Sequence, residues 1–129
     1  MLNFNSILLG SAKPKALIDF YQKVFDRPPD WSDGGWSGWQ IGNTHLTIGE
    51  HSEVKGQAKE PQRIIMNFET KQVKQEFSRI KKFGAKVIKE PYEMSDPSKS
   101  ISRGMDMWIA TFADPDGNYF QLMSPWEGA

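Results

Sequence analysis

The sequence contains no cysteine, which excludes disulfides, thiolate metal ligands and cysteine nucleophiles. It also has no excess charge, because 16 lysine and arginine residues balance 16 aspartate and glutamate residues. Proteins that bind nucleic acids usually carry a basic surplus, so we expect no nucleic-acid partner. No apolar run approaches the roughly 20 residues that span a bilayer, and the first residues lack the basic segment of a signal peptide. We therefore expect a cytoplasmic protein with no membrane partner.

Two common motifs of enzyme chemistry are also missing from the sequence. Asp33-Gly34-Gly35 and Asp116-Gly117 lack the context of a phosphate-binding glycine loop, and the chain has no Gly-x-Ser-x-Gly elbow. Large apolar residues are plentiful instead, with five tryptophans, eight phenylalanines and six methionines. Most such residues fill protein cores, but several could line a ligand cavity.

The spacing of apolar and turn residues predicts the order β-α-β-β-β twice along the chain. The first half starts with a strand, followed by a helix that begins near Pro14 and a stretch rich in glycine and tryptophan. In the second half a helix at 70–83 ends at Gly84, which is well placed as its C′ residue. The predicted strands are 4–9, 39–41, 45–48, 63–68, 86–89 (closed by Pro91), 107–113 and 119–124.

Two matched spacings indicate that the halves are related. Ser6 lies fourteen residues before Phe20, and Arg63 lies fourteen residues before Phe77. Each half also has a Gly-Asn turn before its last strand. We therefore predict a single α+β domain over residues 1–129, made of module 1 at 1–55 and module 2 at 62–126. The two βαβββ modules would form a curled mixed sheet around a cavity.

Side chains alternate between the two faces of a strand, so the pattern also predicts which residues face a helix. The residues expected to face the helices are Leu46, Ile48, Phe120 and Leu122. The residues expected to face the cavity are Ser6, Leu8, His45, Thr47, Arg63, Ile65, Asn67, Tyr119, Gln121 and Met123.

The segment Ile109–Leu122, with its Asp-Pro-Asp-Gly-Asn turn, resembles the signature near the C-terminus of the vicinal oxygen chelate superfamily. That superfamily includes glyoxalase I, the bleomycin-resistance proteins and the extradiol dioxygenases. Asp19–Phe25 resembles its first helix, and the resemblance covers nearly the whole chain. It implies the glyoxalase/bleomycin-resistance/dioxygenase fold of paired βαβββ modules. Such proteins are commonly homodimers whose cavity forms within or between chains.

The resemblance also implies where a metal would bind. In metal-using members, four side chains from the first and last strands of the modules hold a divalent ion. The matching positions here are Ser6, His45, Arg63 and Gln121. Only His45 is a good ligand, and Arg63 puts a fixed positive charge at the site, which at about 4 Å costs a cation about 1–4 kcal/mol. We therefore expect no metal and no other cofactor.

The candidate site residues each have a functional and a structural interpretation. His45 could be a general base or a hydrogen-bonded strand histidine, and Arg63 could bind an acidic ligand or carry its head into water. We expect packing or a mobile lid for Trp31 and Trp36, and residues 95–103 could form another lid. The candidate ligand-binding residues are Ser6, Trp39, His45, Arg63, Trp108, Phe112, Tyr119, Gln121 and Met123.

Three functions fit these features. The first is a metal-free protein, similar to the bleomycin-resistance branch, that sequesters or carries a small, partly apolar organic molecule. The alternative is a metal-dependent or histidine-based enzyme of the lyase, isomerase or dioxygenase type, with His45 as its catalytic residue. The third is a dimeric interaction module with a vestigial pocket.

Overall fold

The computed structural model describes residues 1–94 and 107–125. The loop at 95–103, predicted as a lid, lies outside the described residues. The chain divides into two compact units, the first spanning Met1–Gln57 and the second beginning at Ala58. The predicted module boundaries were 1–55 and 62–126.

The first unit is a four-stranded mixed sheet with one helix. Strand β1 runs parallel to β4, and the remaining neighbours are antiparallel, in the spatial order β1-β4-β3-β2. Its elements are β1 (Ser6–Ser11), α1 (Pro14–Phe25), β2 (Trp31–Asp33), β3 (Trp36–Ile41) and β4 (Thr44–Glu50).

The second unit repeats this arrangement, with β5 parallel to β8 and the order β5-β8-β7-β6. Its elements are β5 (Met66–Glu69), α2 (Val73–Lys82), β6 (Lys86–Met94), β7 (Met107–Ala113) and β8 (Tyr119–Met123). Among the described strands, neither sheet closes on itself. The predicted α+β class with two βαβββ modules is therefore confirmed.

The two helices form where the sequence predicts them, for the same physical reasons. Pro14 occupies the first turn of α1, where its missing N–H costs nothing, and the Ser11 hydroxyl accepts the Lys13 N–H at 2.9 Å just before it. Helix α2 ends at Lys82, and Gly84 follows in the C′ position with a φ of 97° that is freely available only to glycine. The Gly84 N–H donates to the Lys81 carbonyl at 3.0 Å and so satisfies one of the last helical acceptors.

Each unit has its core between its helix and one face of its sheet. Every third or fourth residue of the helices is buried, and buried aromatic rings are prominent on the facing strands. Burial of each large side chain stabilises the fold by about 1.5–3 kcal/mol. The helix-facing residues predicted from alternation are all buried. The main core residues are Leu17, Tyr21, Trp39, Leu46 and Ile48 in the first unit, and Phe77, Ile80, Phe112, Phe120 and Leu122 in the second.

Two strands differ from the sequence prediction. Strand β2 forms a hairpin with β3, and Gly34 and Gly35 turn between them with φ values of 57° and 87°. Positive φ at both central residues is typical of a type I′ turn. Strand β6 continues through Pro91 to Met94 instead of ending before it. It can do so because β6 is an edge strand and its pairing with β7 is irregular next to the proline, so no ladder hydrogen bond from residue 91 is needed.

Within the described residues, no helix is long and apolar enough to cross a membrane.

Candidate functional site

The first sheet has one face that its helix does not cover, which we call its open face. Residues paired across neighbouring strands project from the same face, so the strand register defines its side chains. One row across the sheet joins Ser6, His45 and Gln40. The next row joins Leu8, Thr47 and Gly38. Leu8 is 57% exposed here, although it lies in the middle of a strand.

Glycines on this open face leave room for aromatic rings. A Cβ built on Gly38 would lie 2.5 Å from the Trp31 indole nitrogen, and one on Gly49 would lie 2.1 Å from the Trp36 ring. Both distances are shorter than real Cβ contacts, so the two indoles lie directly on the sheet backbone. At Gly10, paired with Gly49, a Cβ would lie 2.8 Å from the Cβ of His51. We call Trp31 and Trp36 the indole pair.

A polar network lies beside His45, around its cross-strand neighbour Gln40. The Asp30 carboxylate accepts the Gln40 N–H at 2.6 Å and an N–H of the Arg27 guanidinium, which also donates to the Gln40 carbonyl. The Gln40 hydrogen bond is the largest cause that lowers the pKa of Asp30. Removal from water acts in the opposite direction, whereas Arg27 and then His45 lower the pKa further. These contacts favour the charged form of the Asp30 carboxylate.

The second sheet also has an open face, on the side away from α2. Asn67 on β5 and Thr111 on β7 both pair with Gln121 on β8. The Gln121 amide nitrogen donates to the Thr111 hydroxyl at 3.1 Å, which leaves the amide oxygen to coordinate or accept. Tyr119 and Met123 lie two residues to either side along β8, on the same face.

Arg63 does not lie on a strand. Strand β5 begins only at Met66, and Arg63 belongs to a turn in which its N–H donates to the Glu60 carbonyl at 3.0 Å. Its guanidinium forms an exposed ion pair with Glu60 at 2.7 Å. The strand placement predicted for Arg63 is therefore wrong, because the turn places the start of β5 three residues later. A role for Arg63 in ligand binding stays a prediction.

Register assigns Asn67 to the position that was predicted for Arg63. Ser6 pairs with His45 between the parallel strands of the first unit, and Asn67 pairs with Gln121 between those of the second. Arg63 was chosen because it lies fourteen residues before Phe77. That spacing along the chain gives no information about the turn that precedes β5.

Three aromatic residues predicted to bind ligand face the helices instead. Trp39 is fully buried, with its ring 5.3 Å from Phe25 and its indole N–H donating to the Arg27 carbonyl at 3.1 Å. Phe112 is fully buried and stacks on Phe77 of α2 at 5.0 Å. Trp108 carries the Lys74 ammonium of α2 over its ring at 3.9 Å. Each shares a sheet face with buried core residues, so none lies on an open face. Their ligand-binding roles stay predictions.

The remaining predicted site residues lie on the open faces, in two groups. Ser6 and His45 are cross-strand neighbours in the first unit. Tyr119, Gln121 and Met123 follow one another along β8 in the second. All three β8 residues are partly exposed, so they are accessible on that face.

In neither unit do the donors at the superfamily positions fit a divalent metal well. Ser6 and His45 offer a hydroxyl and an imidazole in the first unit, and Asn67 and Gln121 offer two amide oxygens in the second. Neither pair includes a carboxylate or thiolate to balance a cation. The nearest carboxylate on the same face of β5 is Glu69, which pairs with Met123 rather than Gln121. Over residues 1–94 and 107–125, no cluster of three or more histidine, cysteine, aspartate or glutamate side chains could hold an ion.

Sequence reasoning missed the indole pair as a feature of the open face. The available signal was the alternation of tryptophan and glycine over 31–39, together with Gly49. A glycine inside a strand often marks close approach of another group to the backbone. Which glycine accepts which ring depends on strand register, which the sequence pattern alone does not provide.

A family model described as a glyoxalase-like domain matches residues 6–123. The chain belongs to this family. Its membership confirms the predicted place in the vicinal oxygen chelate superfamily. No protein with curated function matches the chain.

Some solved structures of similar fold have glyoxalase or bleomycin-resistance names. A glyoxalase/bleomycin resistance protein from Albidiferax ferrireducens T118 is 14% identical, with a TM-score of 0.72 over 95% of this chain and 98% of that one. A glyoxalase/bleomycin resistance protein/dioxygenase family enzyme from Burkholderia phytofirmans PsJN is 21% identical. Its TM-score is 0.70, and the match covers 95% of this chain and 98% of that one. At these identities the likeness shows the fold alone.

Proposed function

We propose that this glyoxalase-like protein binds a small, partly apolar organic molecule in a cavity, without a metal, and so sequesters or carries it. The observation that carries the proposal is the chemistry of the four superfamily positions. Ser6, His45, Asn67 and Gln121 can donate and accept hydrogen bonds, but they bring no negative charge to hold a divalent ion. A ligand with a hydroxyl, carbonyl or amide suits such groups better than a cation does.

The apolar surroundings of these polar groups support an organic ligand. Leu8 follows Ser6 on the open face of the first sheet, and Met123 follows Gln121 on that of the second. Small-molecule sites commonly combine apolar walls with a few placed polar groups. We propose ligand-binding roles for Ser6, His45, Tyr119, Gln121 and Met123.

Metal analysis tests the metal-free part of the proposal. Protein purified without a chelating tag should contain less than a tenth of an equivalent of iron, manganese, nickel or zinc. His45→Gln keeps a hydrogen-bonding side chain, and His51→Gln is the matched control outside the four positions. Near-stoichiometric metal that His45→Gln releases and His51→Gln retains would overturn the proposal and favour the metal-dependent enzyme.

Thermal-shift measurement against a chemically broad panel of small organic compounds tests ligand binding. Binding stabilises the folded state by mass action, so a ligand raises the melting temperature with concentration. Gln121→Leu should reduce the melting-temperature shift given by any bound compound that has an apolar ring and a polar group. A panel without a single binder would favour an interaction module with a vestigial pocket.

We also propose that the protein is cytoplasmic, as its composition suggests, and a homodimer, as the superfamily resemblance implies. Sedimentation velocity should give the mass of two chains, about twice 14.7 kDa. A concentration-independent monomer would contradict the dimer.

A further inference from the structure

We propose that the indole pair and Asp33 form a stacking site for a planar aromatic cation. This inference rests on the proposed function and deepens it, because it names a ligand class for the open face of the first sheet. Trp31 and Asp33 lie two residues apart on β2, on the face shared by Trp36. This face combines two indole rings, the glycine backbone beneath them and one carboxylate at its edge.

The first support is the way the rings are held. Gly38 and Gly49 let Trp31 and Trp36 lie against the backbone, where any other residue would push them away. Rings fixed in this way lose little further freedom when a ligand stacks on them, which favours binding. Trp31 is 44% exposed, so part of its surface is still accessible in the folded chain.

The second support is charge. Among the described strands of the first sheet, the side chains on the open face include one carboxylate, Asp33, and no lysine or arginine. Indole faces carry partial negative charge and attract cations, best of all the aromatic side chains. Asp33 pairs with Trp36 across the hairpin and lies two residues from Trp31 along β2, so its charge is on the sheet face that carries both rings. A planar cation therefore matches both shape and charge, whereas a planar anion matches the shape alone.

Titration with proflavine, a planar aromatic cation whose own fluorescence reports binding, tests the inference. We expect Trp31→Leu and Trp36→Leu each to weaken proflavine binding about tenfold, and Asp33→Asn to weaken it about threefold. Trp108→Leu is the matched control, because it removes a tryptophan that faces α2. Circular dichroism checks that each variant folds, and if Trp36→Leu does not, Trp31→Leu and Asp33→Asn carry the test.

The comparison ligand is naphthalene-2-sulfonate, a planar anion, which should bind at least tenfold more weakly than proflavine. Equal affinity for the two, with no effect of Asp33→Asn, would overturn the choice of a cation. If non-planar apolar compounds bind and proflavine does not, the inference fails while the proposed function stands. If nothing binds, both fail. A change of sedimentation mass in Trp36→Leu, with proflavine affinity unchanged, would assign the indole pair to a contact with a second copy and overturn the inference.

Discussion

The two units share one topology but have differently built open faces. In the first unit, two tryptophan rings lie against glycines of the strands. In the second, Gln121 and Thr111 hydrogen-bond across the strands, and Thr111 is only 5% exposed. The helix-facing sides are alike, since both bury aromatic rings against a helix. The repeated fold therefore depends on the helix-facing pattern, and the open faces are where the units have diverged.

The largest effect is expected on the helix-facing side of the second unit. Phe112→Ala should lower the free energy of unfolding by about 3–5 kcal/mol, because it removes a fully buried ring that stacks on Phe77 and Phe120. Urea denaturation followed by circular dichroism measures the change. Met123→Ala, on the open face, should cost much less. If Phe112→Ala cost no more than Met123→Ala, the contrast between the two faces would be broken.

The turns before the last strands of the two units should also differ. The buried Asp114 carboxylate accepts the N–H groups of Asp116 and Asn118 at 2.9 and 3.0 Å, and the Asn118 amide as well. Asp114→Ala leaves these donors unpaired and should lower unfolding free energy by about 2–3 kcal/mol.

Asn43→Ala, in the exposed turn of the first unit, is the control for Asp114→Ala. We expect it to change unfolding free energy by less than about 0.5 kcal/mol, as surface substitutions usually do. Equal losses in the two variants would show that the turns are equivalent after all.

Gly49→Ala probes the close approach of Trp36 in the first unit. It should lower unfolding free energy by about 1–3 kcal/mol, because the added methyl and the ring cannot occupy the same space. In a Trp36→Leu background the same change should be near neutral, or stabilising by up to about 1 kcal/mol, since glycine weakens a strand. A double-mutant cycle by urea denaturation measures this coupling.

Gly56→Ala is the matched control for Gly49→Ala, because a Cβ at Gly56 would have nothing within 4 Å. If Gly49→Ala lowers the free energy of unfolding equally with and without the Trp36 ring, the ring does not pack on that glycine.

The smallest effect concerns pH and the Asp30 network beside His45. The Gln40 N–H, with Arg27 and His45, lowers the pKa of Asp30 in the folded state. The charged carboxylate therefore adds stability above its unfolded pKa, and that stability is lost as pH falls through the folded pKa. Asp30→Asn should make unfolding free energy slightly less dependent on pH in the acid range. An unchanged or steeper acid dependence in urea titrations at several pH values would contradict this role.

The sequence predicts well those features that depend on neighbours along the chain. Local spacing predicted the helix before Gly84, and Gly84 as the residue that follows it, because helix contacts and caps are local. The Asp114–Asn118 turn was predicted for the same reason. Alternation also assigned Leu46 and Phe120 correctly to the core.

Features that depend on cross-strand register could not be predicted from the spacing of residues along the chain. The faces of Trp39 and Phe112 depend on their partners Leu46 and Phe120, and a shift of one residue moves a side chain to the opposite face. Arg63 was misplaced because a turn, stabilised by its own ion pair with Glu60, delays the start of β5. Neither effect is encoded in the spacing of apolar residues alone.

The structure of strand β6 should limit aggregation of the protein at high concentration. A nine-residue edge strand would normally invite another chain to add to the sheet and begin aggregation. Pro91 removes one N–H from that edge, and the register shifts between Val87 and Tyr92 bend the strand away from a regular ladder. Lys86, Lys89 and Glu90 add charge along it. The strand thus completes its own sheet while offering incoming chains a poor template for growth.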